Sequence, residues 1–306
     1  MSNEAPNPGI STFRGILLGT LDQYDPDQPS AVWTLSDGTS LTDCLVPCAD
    51  LLHWLLSQPI TTCMLQVTDW QDDTSQPPPL PVLTSAWKAN EPSYPLYYLP
   101  MEICPVDGTY MGILELIESI KTPPLYEMLV RTFREREVVA RFWTMPASAR
   151  HHHAFPGGLA VHSLEVARDL ASQAALGSFE RDLCVAAGLL HDIGKLWSYT
   201  PDMFLNAAAR AMGHELVGLS RLERELKAME GEWADGAYAM RVLLSGCGRM
   251  RQDGSMPSSL VARLKAADQR SCELDRNSKY PSRAWRPSRW LPPPPPEFDP
   301  HGPDAA

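Results

Sequence analysis

The sequence lacks any long apolar run. No stretch of its 306 residues approaches the roughly 18 to 20 apolar residues that span a bilayer, so we expect no membrane partner. The N-terminal residues contain neither a basic segment nor an apolar core, and we expect no secretory signal there. The seven cysteines include no CxxC pair, which argues against a disulfide framework or structural zinc and predicts reduced thiols in the cytoplasm.

Basic side chains are also scarce, with 26 Lys and Arg against 37 Asp and Glu, which argues against a general nucleic-acid binder. The first hundred residues carry eleven acidic side chains and two basic ones, whereas residues 241–289 carry eleven basic and four acidic ones. A polyanionic partner should therefore approach the C-terminal half of the chain. A solvated basic helix face explains the same pattern equally well.

The order of strand-like and helix-like segments predicts an α+β multidomain protein. Residues 1–12 are expected to be disordered, and residues 13–88 contain five short strand-like runs with one helical run, "CADLLHWLLSQ", between the third and fourth. Three strands, a helix and two strands are the order of a small β-barrel of the OB type. The proline-bearing residues 89–110 are expected to be a linker, residues 111–280 an all-α domain, and residues 281–306 a Pro-rich disordered tail.

Three polar residues of the helical part fall at helical spacing from apolar residues, which predicts that His162, His191 and Asp268 point inward. Asp192 lies directly beside His191. Imidazole nitrogens and carboxylate oxygens at a shared focus suit a divalent transition metal such as Mn, Fe, Ni or Zn. Taken singly, such a histidine is more often a hydrogen-bonded core residue, and an inward aspartate is also explained as a cap of a neighbouring helix, but taken together the residues favour a metal site. The apolar residues on these faces are Leu159, Val166 and Leu170, then Leu183 and Ala187, then Leu260 and Leu264.

The segment "LLHDIGK", preceded by "GGLAVHS" and followed by "LKAADQ", resembles the HD-domain metal-dependent phosphohydrolases with their H…HD…D signature. The resemblance implies that His162, His191, Asp192 and Asp268 bind the metal. The longer segments 116–133 and 145–167 resemble the YhaM-type 3′–5′ exoribonucleases, which place an OB-type module before an HD domain. The HD-type relaxase domains of conjugative elements are also similar to this chain, since they have the segment "HHH…GGL…HS" followed by the His-Asp doublet.

The resemblance also implies roles for neighbouring residues. In such a site Asp192 is able to bridge two metals, Lys195 to neutralise phosphate charge, and His153, with His152, to contact substrate or donate a proton. Alternatives are an exposed helix-end lysine and a solvated histidine run. The implied substrate is single-stranded RNA or DNA, and because relatives of this type often form rings, a homo-oligomer is left open.

The chain departs from the YhaM-type pattern before the last aspartate. Where those proteins have Ser-His-His-Gly, this chain has "SGCG" at 245–248, while the accessory histidine is retained as His214. Cys247 is a candidate thiolate ligand, or else a buried free cysteine. We therefore expect one divalent metal, with an incomplete set of ligands for a second.

The same asymmetry of charge locates the expected nucleic-acid contacts. An acidic barrel repels a phosphate backbone even though it carries tryptophans. We expect the contacts instead on the basic segment, at Arg249, Arg251, Arg263 and Arg270, with a charged helix face as the alternative. The acidic β-domain and the Pro-rich tail are then candidate docking surfaces for a protein partner.

Three functions follow from the sequence. The first is a metal-dependent phosphohydrolase that acts as a 3′–5′ exonuclease on single-stranded RNA or DNA. The second is relaxase-like strand cleavage or nucleotide phosphohydrolysis on the same helical scaffold. The third is a degenerate HD protein that binds partners without turnover.

Overall fold

The protein was analysed as a computed structural model, which describes residues 9–25, 27, 31–69, 80–90, 94–174, 176–200, 202–245 and 256–279. These residues form a closed β-barrel and a helical region, as the sequence predicts. The barrel elements are β1 (Gly9–Leu17), β2 (Val32–Ser36), β3 (Leu41–Leu45), α1 (Ala49–Leu56), β4 (Cys63–Asp69) and β5 (Val82–Lys88). The helical region contains α2 (Thr109–Ser119), α3 (Pro123–Phe133), α4 (Arg136–Arg141), α5 (Gly158–Ser172), α6 (Ser178–Leu190), α7 (Ala207–Met212), α8 (His214–Glu232), α9 (Ala234–Leu244) and α10 (Met256–Lys279).

The barrel closes in the strand order β1-β2-β3-β5-β4. All strand pairs are antiparallel except β3 with β5, which pair in parallel at Leu45 and Val82. Alternating side chains fill the interior, and α1 packs Leu52, Leu55 and Leu56 against that core. The predicted OB-like barrel, including the helix between its third and fourth strands, is confirmed.

Two predicted boundaries differ from the structure. The first strand begins at Gly9, inside the segment 1–12 that we expected to be disordered. The predicted linker 89–110 contains two short 3-10 helices, Pro95–Tyr98 and Met101–Ile103, and it buries Leu96 and Leu99 in the helical core. Apolar residues between the prolines give this segment a surface to bury, so it packs against the helices. The tail 281–306 lies outside the described residues.

One arginine joins the barrel to the helical region. Arg136, at the start of α4, is buried and donates hydrogen bonds to four backbone carbonyls of the barrel side. The acceptors are the carbonyls of Leu17, Gly19, Leu55 and Gln58. Burial lowers the pKa of Arg136 to about 10, so the guanidinium keeps its charge at neutral pH.

Close packing of α5 against α6 brings together two of the segments that carry the predicted metal ligands. A Cβ on Gly188 would lie 2.8 Å from the Cα of Ala167, so only glycine allows this approach of the two backbones. Within the part of the chain that the structure describes, no helix combines the length and apolar character needed to cross a membrane.

Candidate metal centre

The His-Asp doublet lies where one helix ends and another begins. The sequence pattern predicts one helix over 180–196, but α6 ends at Leu190 and a 3-10 helix follows at Ile193–Trp197. His191 caps α6, and Asp192 adopts φ −103° and ψ 4° at the junction. This break lets two consecutive side chains turn toward the same point, which a continuous α-helix does not allow.

The four predicted ligands converge at this junction. His162 on α5 is fully buried, and its Nε2 lies 3.2 Å from the Nε2 of His191. Asp192 Oδ2 lies 3.4 Å from the first of these nitrogens and 3.5 Å from the second. Asp268 Oδ1, from α10, lies at 3.2 Å and 3.9 Å from the same two atoms. Two carboxylate oxygens therefore flank a pair of imidazole nitrogens.

Hydrogen bonds to the opposite ring nitrogens fix the tautomers of both histidines. His191 Nδ1 lies 2.9 Å from the carbonyl oxygen of Gly188, which only accepts hydrogen bonds, so Nδ1 carries the proton. His162 Nδ1 lies 2.9 Å from Ser271 Oγ, whose own proton goes to Glu165 Oε2 at 2.6 Å. Burial lowers the pKa of His191, which keeps its ring neutral. Both Nε2 atoms therefore present lone pairs to the centre.

This donor set fits a divalent metal. Two nitrogen lone pairs and two carboxylate oxygens face one another, and a cation is what satisfies four mutually repelling acceptors. Ligand atoms about 2.0–2.2 Å from a metal lie about 3.0–3.5 Å from each other, and the separations here are close to that range. His162, His191 and Asp192 also form a metal-compatible group on geometric grounds.

Asp192 has further partners besides the two histidines. Lys195 Nζ lies 2.6 Å from its Oδ2, and His214 Nε2 lies 2.9 Å from its Oδ1. Burial alone raises the pKa of Asp192, but the Lys195 ammonium and its neighbours outweigh burial and hold that pKa well below the usual range. Lys195 is only 6% exposed, so its cation belongs to the centre and is not an exposed helix-end charge. His214 reaches the centre through Asp192.

A relay of hydrogen bonds supports His162 at its Nδ1, the ring nitrogen that faces away from the centre. Ser271 accepts from His162 Nδ1 and donates to Glu165, and Glu165 in turn lies 3.1 Å from His153 Nε2. Hydrogen bonding to the far nitrogen orients a ligating imidazole and sets its basicity. Sequence patterning did not identify Ser271 or Glu165, although Ser271 lies three residues after Asp268 on the same helix.

Ser271→Ala should weaken divalent-metal binding by about 10- to 100-fold, because His162 loses the acceptor that fixes its tautomer. Isothermal titration of the chelator-treated protein with Mn²⁺ measures the effect. Ser172→Ala is the matched control, since the Ser172 hydroxyl bonds only a carbonyl of its own helix. Equal Mn²⁺ affinity in wild type and Ser271→Ala would contradict the relay.

The adjacent histidines His152 and His153, to which the sequence analysis gives the same role, have different surroundings in the structure. His153 is 1% exposed, has φ 47°, and directs its ring at Glu165. His152 lines the cavity in front of the centre, with its ring centroid 5.0 Å from that of His162. Burial lowers the pKa of His152 to about 4. His152, rather than the predicted His153, is therefore the residue of this pair that a substrate would meet.

The cavity in front of the centre has a volume of about 390 Å³. Apolar residues of α9 and α10 form one wall, and three of the four metal-ligand candidates, His191, Asp192 and Asp268, form the polar floor. Two residues that the sequence patterning did not single out also line it. Lys265 is exposed at the edge, and Cys272 lies one helical turn beyond Asp268. Lys265 lies three residues before Asp268 and Cys272 four residues after it, and this spacing, which puts residues on one helix face, could have identified both from the sequence.

The arginines predicted to contact nucleic acid do not line the cavity where the structure describes them. Arg263 donates to Gln173 and Arg270 to Asp169, both along the α5 side of α10 and away from the cavity lining. Arg249, Arg251 and the candidate ligand Cys247 lie outside the described residues. In the barrel, Trp33 is buried in the core, so it is not available for base stacking.

Part of the helical region matches a known domain family. Residues 159–271 match the family model of the HD domain, which covers α5 to α10 and all four candidate ligands. The helical region of this chain thus carries an HD domain behind a five-stranded barrel, and the resemblance seen in the motifs is confirmed.

The chain is also similar to individual bacterial proteins. The chain is similar to the 3′–5′ exoribonuclease YhaM of Bacillus subtilis (strain 168), at 24% identity over 51% of each chain. It is also similar to the protein of that name from Listeria monocytogenes serotype 4b (strain CLIP80459), at 45% identity over 31% of each chain. The chain spans about half or less of the length of these relatives. No solved structure matches the chain significantly.

Proposed function

We propose that the protein is a metal-dependent phosphohydrolase that removes nucleotides from the 3′ end of single-stranded RNA or DNA. The observation that carries this proposal is the convergence of two unprotonated histidine nitrogens and two carboxylates at a centre that His191, Asp192 and Asp268 open to a cavity. The similarity to the 3′–5′ exoribonucleases supports the choice of reaction and direction.

His162, His191, Asp192 and Asp268 would hold the metal, which when bound acidifies a ligated water and offsets phosphate charge. The chain's own residues then divide the remaining work. The relay from Ser271 holds the ring of His162, while Lys195 and His214 hold the Asp192 carboxylate in one orientation. His152, neutral at pH 7, is placed to donate or accept a hydrogen bond at the substrate.

The shape of the cavity favours a flexible strand end. Its wall residues Leu243, Leu244 and Val261 provide an apolar surface opposite the polar floor, which suits a base next to a phosphate. Lys265 at the edge provides a positive charge where the next phosphate of the strand would pass.

The cytoplasm remains the predicted location.

Oligonucleotides labelled at the 5′ end test the proposal. With Mn²⁺, single-stranded RNA or DNA should shorten stepwise from the 3′ end and release mononucleotides, whereas a strand blocked at the 3′ end should persist. His191→Ala should abolish shortening, because it removes one metal ligand. A protein that binds neither metal nor substrate and degrades no strand would favour a non-catalytic binding role. Site-specific nicking would favour relaxase-like cleavage.

Lys265→Glu should raise the KM for single-stranded substrate by about tenfold, because a phosphate then meets a negative charge at the cavity edge. Among the described residues, no hydrogen bond or ion pair joins Lys265 to a metal-ligand candidate, so kcat should change little. Steady-state kinetics on an oligonucleotide measure both constants. Lys227→Glu, the same charge change on the exposed part of α8, is the control, and an equal effect there would contradict a local phosphate contact.

A further inference from the structure

Cys272 is half-buried and differs from the fully buried cysteines of the described residues in what surrounds it. Cys272 lies on the cavity wall, and its Sγ is 3.6 Å from Asp268 Oδ1. A spacing of four residues on α10 places the two side chains on one face. The thiols in apolar cores belong to Cys44, Cys63, Cys104 and Cys184.

His152 lies beside the same thiol. Ligand atoms of His152, His162 and Cys272 all lie within 4.8 Å of one another, which forms a second metal-compatible group. His152 Nδ1 is buried and has no hydrogen-bond partner among the described residues. This group shares His162 with the group that contains the His-Asp doublet, and Cys272 also contacts the candidate ligand Asp268.

We propose that Cys272 supplies a thiolate ligand to the metal of this centre, with His152 adjacent to it. The inference rests on the proposed metal centre and adds a soft ligand to it. On binding, the S–H bond breaks, the sulfur keeps the electron pair and donates it to the metal, and the proton passes to water. Thiolates select thiophilic metals such as Zn²⁺, Co²⁺ and Cd²⁺ over Mg²⁺.

This ligand adds a sulfur donor to a centre whose four histidine and aspartate ligands already fit one metal, and it is a different cysteine from the one in the "SGCG" segment. In the sequence, the thiol expected to replace the missing histidine is Cys247. Cys272 is the thiol that the described structure brings to Asp268 and His162. The two assignments therefore differ in which substitution, Cys247→Ser or Cys272→Ser, removes a sulfur-to-metal charge-transfer band.

Cobalt substitution of the full chain separates these possibilities. Wild-type protein titrated with Co²⁺ should show visible d–d bands together with an ultraviolet sulfur-to-cobalt charge-transfer band. Cys272→Ser should lose the charge-transfer band, because no sulfur ligand remains, and keep the d–d bands, because the histidine and aspartate ligands still bind the cobalt. The serine hydroxyl replaces the thiol as the donor to Asp268. Cys48→Ser, at an exposed cysteine of the barrel, should leave the spectrum unchanged.

Affinity provides a second readout. Cys272→Ser should weaken Cd²⁺ binding by about tenfold or more while changing Mn²⁺ binding by less than about threefold. Cys272→Ala should give the same pattern, and circular dichroism of each metal-free variant checks that it folds.

The outcomes separate this inference from the proposed function. Cobalt d–d bands with no charge-transfer band in wild type, or a band that Cys247→Ser removes and Cys272→Ser does not, would overturn the thiolate at Cys272 and leave the metal centre intact. Failure to bind Co²⁺ at all would overturn both. A charge-transfer band that depends on Cys272 supports the inference even if no strand is degraded.

Discussion

Asp192→Asn should lower nucleic-acid hydrolysis by about 10³-fold or more, because it removes a charged metal ligand at the centre of the site. The same change leaves Lys195 as a buried cation without its carboxylate. Breaking a buried ion pair in this way costs about 3–5 kcal/mol, so the free energy of unfolding should fall as well. Steady-state hydrolysis and urea unfolding measure the two effects.

A double variant separates loss of chemistry from loss of stability. Asp192→Asn combined with Lys195→Met removes both charges, so the free energy of unfolding should largely recover while hydrolysis stays low. Asp169→Asn, the same chemical change at a site paired with Arg270 outside the cavity, should keep nearly full activity. Recovery of hydrolysis in the double variant would show that Asp192 acts only through folding.

Arg136→Met should lower the free energy of unfolding by about 3–5 kcal/mol, because four carbonyls at the barrel junction lose a charged donor. Arg136→Lys should recover only part of the loss, since one ammonium cannot reach all four acceptors. Urea unfolding followed by circular dichroism measures both variants.

Arg210→Met is the control for that series, because exposed Arg210 donates to a single carbonyl within the helical region. Its effect should stay below about 1 kcal/mol. Similar losses in the Arg136 and Arg210 variants would mean that the guanidinium at the junction is not a principal contact between barrel and helices.

The sequence predicts most of the ligand geometry because helical periodicity is a local property. The spacing of His162 and Asp268 from apolar residues of their own helices predicts that both side chains point inward. The structure buries His162 fully and brings Asp268 Oδ1 to 3.2 Å from it, although the Asp268 side chain stays 42% exposed. The order of strands and helix along the chain follows for the same reason, from short strand-like runs and the helical run between them. Neither inference needs knowledge of distant contacts.

The features that sequence patterning missed depend on irregular backbone or on distant partners. His152 and His153 lie in a loop without periodicity, where φ 47° at His153 decides which ring faces the cavity. The burial of Lys195 depends on its ion pair with Asp192. Arg136 bonds carbonyls more than 70 residues away in the sequence, so no local pattern reveals its role.

The boundaries at 1–12 and 89–110 were misplaced for a related reason. Turn-forming residues indicate where regular elements end, but they do not show whether the segment between them packs. Leu96 and Leu99 are surrounded by prolines that suggest a linker, yet both side chains are buried. Burial of such a segment is decided by the surface of the helices that it meets.

In the proposed function, strand hydrolysis requires one divalent metal held by His162, His191, Asp192 and Asp268. Stepwise return of Mn²⁺ to chelator-treated protein, with bound metal and mononucleotide release measured in the same samples, tests it most directly. Hydrolysis should rise in proportion to bound metal and saturate when the ligand set is filled, and His191→Ala should neither bind nor hydrolyse. Hydrolysis that persists after complete removal of the metal would contradict the claim.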